Sequence, residues 1–174
     1  DGVADAIEEL EARPDLTVGI LTGAGGSFSA GMDLRAFLAG EDLEHPRGLA
    51  GITIQPPRKP LIAAVEGWAL AGGCEIALAA DLIVAANDAK FGIPEVKRSL
   101  VAGGGGLLRL PRRIPSAIAM EIALTGDPLT AEQAFLYGLV NQLTEPGGAL
   151  IGARALADRI AANGPLAVAA TKEI

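Results

Sequence analysis

The chain has 174 residues, about one domain by length, and half of them are hydrophobic, enough for a real core and too many for wholesale disorder. A net charge of −7 argues against a nucleic-acid partner, and 3% aromatic residues offer little for base stacking. A single cysteine, Cys74, excludes a disulfide framework and any multi-cysteine metal site, while the single histidine, His45, sits beside Pro46 with no motif for zinc or histidine catalysis.

The longest uncharged run, Leu16 to Met32, holds five glycines and two serines in 17 residues, too short and too polar for a membrane span. No charged-then-apolar signal segment opens the chain. The expectation is a soluble, cytoplasmic protein that handles a small molecule, with neither membrane nor nucleic acid as partner.

In chain order, Asp1 to Arg13 reads as an amphipathic helix with Val3, Ile7 and Leu10 on one face, stopped by Pro14-Asp15. Thr17 to Thr22 is a β-rich apolar run, followed by a glycine-rich loop to Gly31 and a short helical pattern, Asp33 to Leu38. Glu41 to Pro60 collects the breakers His45-Pro46, Gln55-Pro56-Pro57 and Lys59-Pro60 and reads as an excursion. Leu61 to Val65 and Leu82 to Ala86 are buried strands, Gly72 to Ala80 a helix between them, and Ala89 to Gly92 a short further strand. Beyond these the pattern turns helical: Pro115 to Leu124 has an apolar stripe, Thr130-Ala131-Glu132-Gln133 has capping-box spacing, and Gly148 to Ala162 is alanine-rich. Almost wholly apolar strands alternating with helices indicate an α/β fold with covered sheets.

Glycine, at 23 copies, clusters at 23–26, 72–73 and 103–106, where backbone must turn sharply or approach something closely. None of these clusters makes a dinucleotide or phosphate-binding loop. Gly23-Ala24-Gly25-Gly26-Ser27-Phe28 lacks the third glycine and leads into loop, and no Gly-Lys-Ser/Thr follows any cluster. Two segments do stand out: Phe28-Ser29-Ala30-Gly31-Met32-Asp33-Leu34, and Gly67-Trp68-Ala69-Leu70-Ala71-Gly72-Gly73-Cys74-Glu75. Each leaves backbone N–H groups unpaired at a helix start, and two such groups converging on one point make an oxyanion hole. Taken singly, each is more often an ordinary strand–glycine–helix turn. Glu75 and Glu95 lie between apolar residues, an unusual setting for glutamate. Each is either working or doing something plain: Glu75 complementing a helix dipole, Glu95 pairing with Lys97 or Arg98. Cys74 has no histidine near it in sequence and reads as an inert core thiol, and Trp68 as packing or a pocket wall.

The blocks Phe28 to Leu34, Gly67 to Glu75, Phe91-Gly92-Ile93-Pro94-Glu95, Leu124 to Leu129 and Ala134 to Val140 resemble, in order and spacing, the enoyl-CoA hydratase/isomerase (crotonase) superfamily. The resemblance covers nearly the whole chain. It implies a crotonase-like ββα superhelical core over 1–113, and over 114–174 a helical region used in oligomerisation. It also implies further strands before Asp1 and further helices after Ile174. By the same resemblance, the N–H groups of Met32 and Gly72 form an oxyanion hole, and Glu75 and Glu95, 20 residues apart, are the catalytic carboxylates. Phe28, Ser29, Ala30, Gly31, Asp33, Leu34, Trp68, Gly73 and Pro94 are expected to bind the acyl-CoA thioester, with Arg35, Arg58 or Lys59 meeting its phosphates. No metal and no cofactor beyond the substrate's coenzyme A is implied, and a homotrimer or homohexamer is expected.

The chain departs from the pattern at Ser99 and Ala102, where similar proteins often carry Gly and Pro beside the acyl pocket. Both glutamates favour hydration of a trans-2-enoyl-CoA. An isomerase often keeps one of them, and a dehydratase of carnitinyl type runs the same chemistry backwards. A ClpP-like serine protease, which shares the superhelix, lacks its Ser–His–Asp set here. A non-catalytic acyl-CoA binder is the remaining alternative.

Overall fold

In the computed structural model, which describes residues 2–33, 40 and 45–174, helix α1 (Gly2–Ala12) buries Ala4, Ile7 and Leu10 at helical spacing. Strand β1 (Gly19–Thr22) follows; the apolar run expected from Thr17 contributes only its last four residues to the ladder. A 3₁₀ turn at Leu49–Gly51 interrupts the long excursion before β2 (Leu61–Val65). Next come β3 (Trp68–Leu70), α2 (Gly72–Ala79), β4 (Leu82–Ala86), β5 (Lys90–Gly92) and a 3₁₀ turn at Pro94–Arg98. Helices α3 (Gly106–Arg113) and α4 (Ser116–Thr125), strand β6 (Leu129–Thr130) and helix α5 (Ala131–Leu136) come after. Strand β7 (Gln142–Thr144) and helices α6 (Ala149–Ala161) and α7 (Pro165–Glu173) complete the described chain. The helix expected over Asp33 to Leu38 lies, apart from Asp33, outside the described residues.

Strands β1, β2, β4 and β7 form an all-parallel sheet in the order β1-β2-β4-β7. Strand β2 is buried on both faces, and its alternation separates two cores. Leu61, Ala63 and Val65 face the main core with α1 and α2, whereas Ile62 and Ala64 face α6. Helix α6 approaches closely because Ala149, Ala153 and Ala157, four residues apart, make its buried stripe. Glu66 fixes its start: the Ala149 and Gly147 N–H groups donate to Oε1 and Oε2 at 2.8 and 2.9 Å. A smaller sheet, β3-β5-β6, pairs β3 and β5 in parallel and β5 and β6 antiparallel.

The stretch from 114 onward is mainly helical, as expected, yet β7 completes the large sheet and β6 the small one, and the main core runs from Ile7 to Val140. The capping box at α5 forms as its spacing predicts, with Thr130 Oγ1 accepting from Gln133 N–H at 3.2 Å and Gln133 Oε1 from Thr130 N–H at 2.9 Å. Helix α3 was hidden in the sequence, because a glycine run precedes it and Pro111 lies inside it. Among the described residues, no helix is long and apolar enough to cross a membrane.

Candidate active site

The site begins with a backbone zipper. Residues leaving β1 run beside β3, where Phe28 N–H donates to Glu66 O at 2.8 Å and Ser29 N–H to Trp68 O at 2.8 Å; Leu70 N–H returns to Ser29 O at 3.0 Å. The approach is so close that a Cβ on Gly73 would sit 2.2 Å from Ser29 O, so only glycine fits there. Gly31, at φ +99°, then turns the chain against Ala71-Gly72, its Cβ position being 3.2 Å from Gly72 N. Ala71 itself takes φ 50°, ψ −129°, a sparsely populated conformation held by its N–H bond to Gly92 O at 2.9 Å.

This brings two amides together. Met32 N lies 4.0 Å from the position a Gly72 Cβ would take. Gly72 opens α2, so its N–H has no intrahelical acceptor, and among the described residues neither amide donates to any acceptor. Two free N–H groups at the positive end of a helix suit an oxygen that gains negative charge.

The first turn of α2 also carries Glu75, whose side chain is almost wholly buried. Gly106 N–H donates to its Oε1 at 2.9 Å, and its Oε2 has no hydrogen-bond partner among the described residues. The glycine run 103–106 exists to let this carboxylate in: a Cβ on Gly104 would lie 2.7 Å from Oε2, and one on Gly106 3.1 Å from Oε1. Glu95, on the Pro94–Arg98 turn, has a buried Oε2 with no hydrogen-bond partner. Burial, reinforced by the charge of Glu75, pushes its carboxyl above the ordinary carboxylate range, so it holds its proton more tightly. Lys97 does not neutralise it, because Lys97 pairs with Asp127 at 2.6 Å.

Both carboxylates line one cavity of about 960 Å³, together with Met32 and Gly72. A second, apolar cavity of about 470 Å³ adjoins it and shares Glu95, Leu100 and Val101 with the first. Leu107, Met120 and Leu124 close its far side. Ser99, one of the two departures, sits at φ +57°, where glycine is the unstrained residue; Ala102, the other, lines the second cavity.

Of the other expected contacts, Ala30 and Pro94 line the first cavity. Phe28, Ser29, Gly31 and Gly73 act behind its wall by fixing the zipper. Asp33 is exposed, Trp68 is half-exposed and lines neither cavity, and Leu34 and Arg35 lie outside the described residues. Arg58 pairs with Glu173 at 2.9 Å, and Lys59 Nζ donates to the carbonyls of Leu10 and Arg13 at 2.7 and 2.6 Å. Among the described residues, the Lys and Arg side chains on the cavity wall are instead Lys97 and Arg98. The sequence reading also missed His45, Leu49 and Thr53, which line the cavity from inside the breaker-rich excursion; no local pattern marks them. Cys74 is buried with its thiol pushed up to about 12 by burial, which makes it inert. Among the described residues, no cluster of three or more His, Cys, Asp or Glu could hold a metal.

The profile of the enoyl-CoA hydratase/isomerase family matches residues 1–174. A solved enoyl-CoA hydratase from Mycobacterium marinum is 68% identical, with a TM-score of 0.97, over 99% of this chain and 68% of that one. A solved carnitinyl-CoA hydratase from Mycobacterium avium is 46% identical, with a TM-score of 0.95, over 98% of this chain and 67% of that one. The carnitinyl-CoA dehydratase of Salmonella arizonae is 48% identical over 177 residues, 99% of this chain and 68% of the relative.

Proposed function

Since this chain belongs to the enoyl-CoA hydratase/isomerase family, we propose that it is a hydro-lyase adding water reversibly to a trans-2-enoyl-CoA to give the 3-hydroxyacyl-CoA. The observation that carries this reading is that Glu75, Glu95, Met32 and Gly72 line one cavity, with Glu75 Oε2 and the two amides lacking hydrogen-bond partners among the described residues.

Water addition needs three things at once. Its oxygen bonds to C3 while a base takes one of its protons; that base is Glu75. The electrons of the double bond move toward the thioester, and the negative charge on its oxygen is met by the N–H groups of Met32 and Gly72. C2 then takes a proton from Glu95, the carboxyl whose hold on its proton burial strengthens. We take H and OH to add to the same face of the double bond, with both carboxylates lining the same cavity. Moving a double bond between carbons needs one base, so the intact pair supports hydration over isomerisation.

The chemistry calls for no cofactor beyond the coenzyme A carried by the substrate. The acyl end enters the second cavity, whose lining is mostly leucine, valine, methionine and alanine, with Glu95 where it meets the first. Phe28 to Asp33 and Lys97-Arg98 serve the coenzyme A portion. The protein assembles as a trimer or hexamer in the cytoplasm, with the exposed side chains of Leu107, Leu108, Met120, Leu124, Phe135 and Leu136 supplying apolar contact area. The test is turnover on a panel of straight and branched 2-enoyl thioesters, a 3-enoyl thioester and a crotonobetainyl thioester. Hydration of the uncharged 2-enoyl members is expected; conversion of the 3-enoyl or the betaine member alone would overturn the reading.

A further inference from the structure

Leu49 stands at the centre of the site without doing chemistry. Its Cδ1 lies 3.3 Å from the Cβ position of Gly72 and 2.5 Å from that of Gly104, so it wedges between the free amide and the loop that seats Glu75. The 3₁₀ turn carrying it is strained: Ala50 takes φ 51°, and Gly48 and Gly51 are also at positive φ. Its own segment holds it through Gly51 N–H to Gly48 O, Ile54 N–H to Arg47 O and Leu49 N–H to Thr53 Oγ1, each at 2.8 Å, and through Ile52 in the main core. None of these bonds reaches the glycine loop.

Arg109, half-buried on α3, makes that link. Its Nη2 donates to Thr53 O at 2.5 Å and its Nη1 to Gly104 O at 3.2 Å. One guanidinium therefore ties the Leu49–Thr53 segment to the glycine loop whose next residues include Gly106, the donor to Glu75 Oε1. Gly105, at φ +97°, leaves the passage open: a Cβ there would lie 2.2 Å from Arg109 Nη1. No carboxylate pairs with Arg109 among the described residues, so both bonds shown go to backbone carbonyls of the site.

We propose that Arg109 is a positioning residue for the hydration reaction, clamping the Leu49–Thr53 turn to the Gly103–Gly106 loop so that the oxyanion amides and Glu75 keep their common register. This rests on the reading of the cavity as an enoyl-thioester site. Arginine is needed because its planar fork reaches two carbonyls on two segments, whereas a lysine ammonium on a flexible stem is a single point donor. A misplacement of about 1 Å at such a site costs on the order of 10²-fold in rate.

The experiment compares wild type, Arg109→Met and Arg109→Lys in the full chain. It measures kcat and KM for hydration, melting temperature, and the ultraviolet red shift of a bound, slowly reacting aryl-enoyl thioester. That shift reports how strongly the amides polarise the thioester carbonyl, and a role in stability alone would not move it. We expect Arg109→Met to lose about 10²-fold, chiefly in kcat, with a diminished red shift, and Arg109→Lys to recover only part of both. If either folded variant melts lower but keeps wild-type kcat and red shift, the clamp is structural and the proposal fails. Should Arg109→Met not fold, the same two readouts on Arg109→Lys decide. A wild type that hydrates no enoyl thioester would instead sink the function reading, a distinguishable outcome.

Discussion

At the scale of single residues, the two glutamates occupy different settings, and the difference is in line with the roles proposed for them. Glu75, which lines the cavity, is fastened through one oxygen by Gly106 N–H; Glu95 has a buried oxygen with no hydrogen-bond partner among the described residues. With burial as the main cause and the charge of Glu75 adding to it, Glu95 ionises above the ordinary carboxylate range. Activity that needs its protonated form falls as pH rises through that raised value. Replacing Glu95 with Gln should cost about 10² to 10⁴-fold in turnover and abolish this alkaline limb in the pH profile of kcat/KM. Glu75→Gln should cost a similar factor while both variants still bind acyl-CoA. A variant with wild-type turnover would remove that residue from the chemistry. The folding sign follows from the same shift: a carboxyl whose folded value is raised favours the fold most below its unfolded value, and the advantage is lost as pH rises. Glu95→Gln should therefore melt no lower than wild type at neutral pH, a common trade at working sites.

At the scale of elements, the site depends on how closely segments far apart in sequence approach one another. Strand β3, three residues long, draws the Phe28–Met32 segment alongside, and α2 starts where that segment ends. Gly73→Ala would drive a methyl group into Ser29 O, 2.2 Å away, and pry the Met32 amide from its place beside Gly72. We expect turnover to fall about 10²-fold with a destabilisation of about 1–3 kcal/mol. Unchanged turnover in this variant would show that the zipper does not set the hole. The periodic elements were legible in the sequence: α1 from Ile7 and Leu10, β2 and β4 from unbroken apolar runs, α5 from its capping box. Strand β3 was not, since three residues carry no period, and α3 was masked by Gly103–Gly106 and Pro111. The glutamates and glycines stood out because their residue types clash with their neighbours. Leu49 and Thr53 did not, because their role arises from contacts made across the fold with α2 and α3, and His45 reaches the cavity only through the path of the excursion.

At the scale of the whole molecule, the parallel sheet and its two cores form a rigid back, and the cavity opens in front where α2, the Pro94–Arg98 turn and the glycine loop meet. Apolar side chains on α3, α4 and α5 remain exposed beside it, among them Leu108 at 68% and Leu136 at 77%, and offer contact area to a second copy. Light scattering at micromolar concentration should return a trimer or hexamer; a monomer would contradict the assembly. The central claim, that this wall adds water through two carboxylates, is tested most directly by mass spectrometry of the reaction with an uncharged trans-2-enoyl-CoA in D₂O. The account predicts a 3-hydroxyacyl-CoA carrying one solvent deuterium at C2. Recovery of the enoyl thioester unhydrated, with deuterium exchanged only into a shifted double-bond isomer, would contradict it.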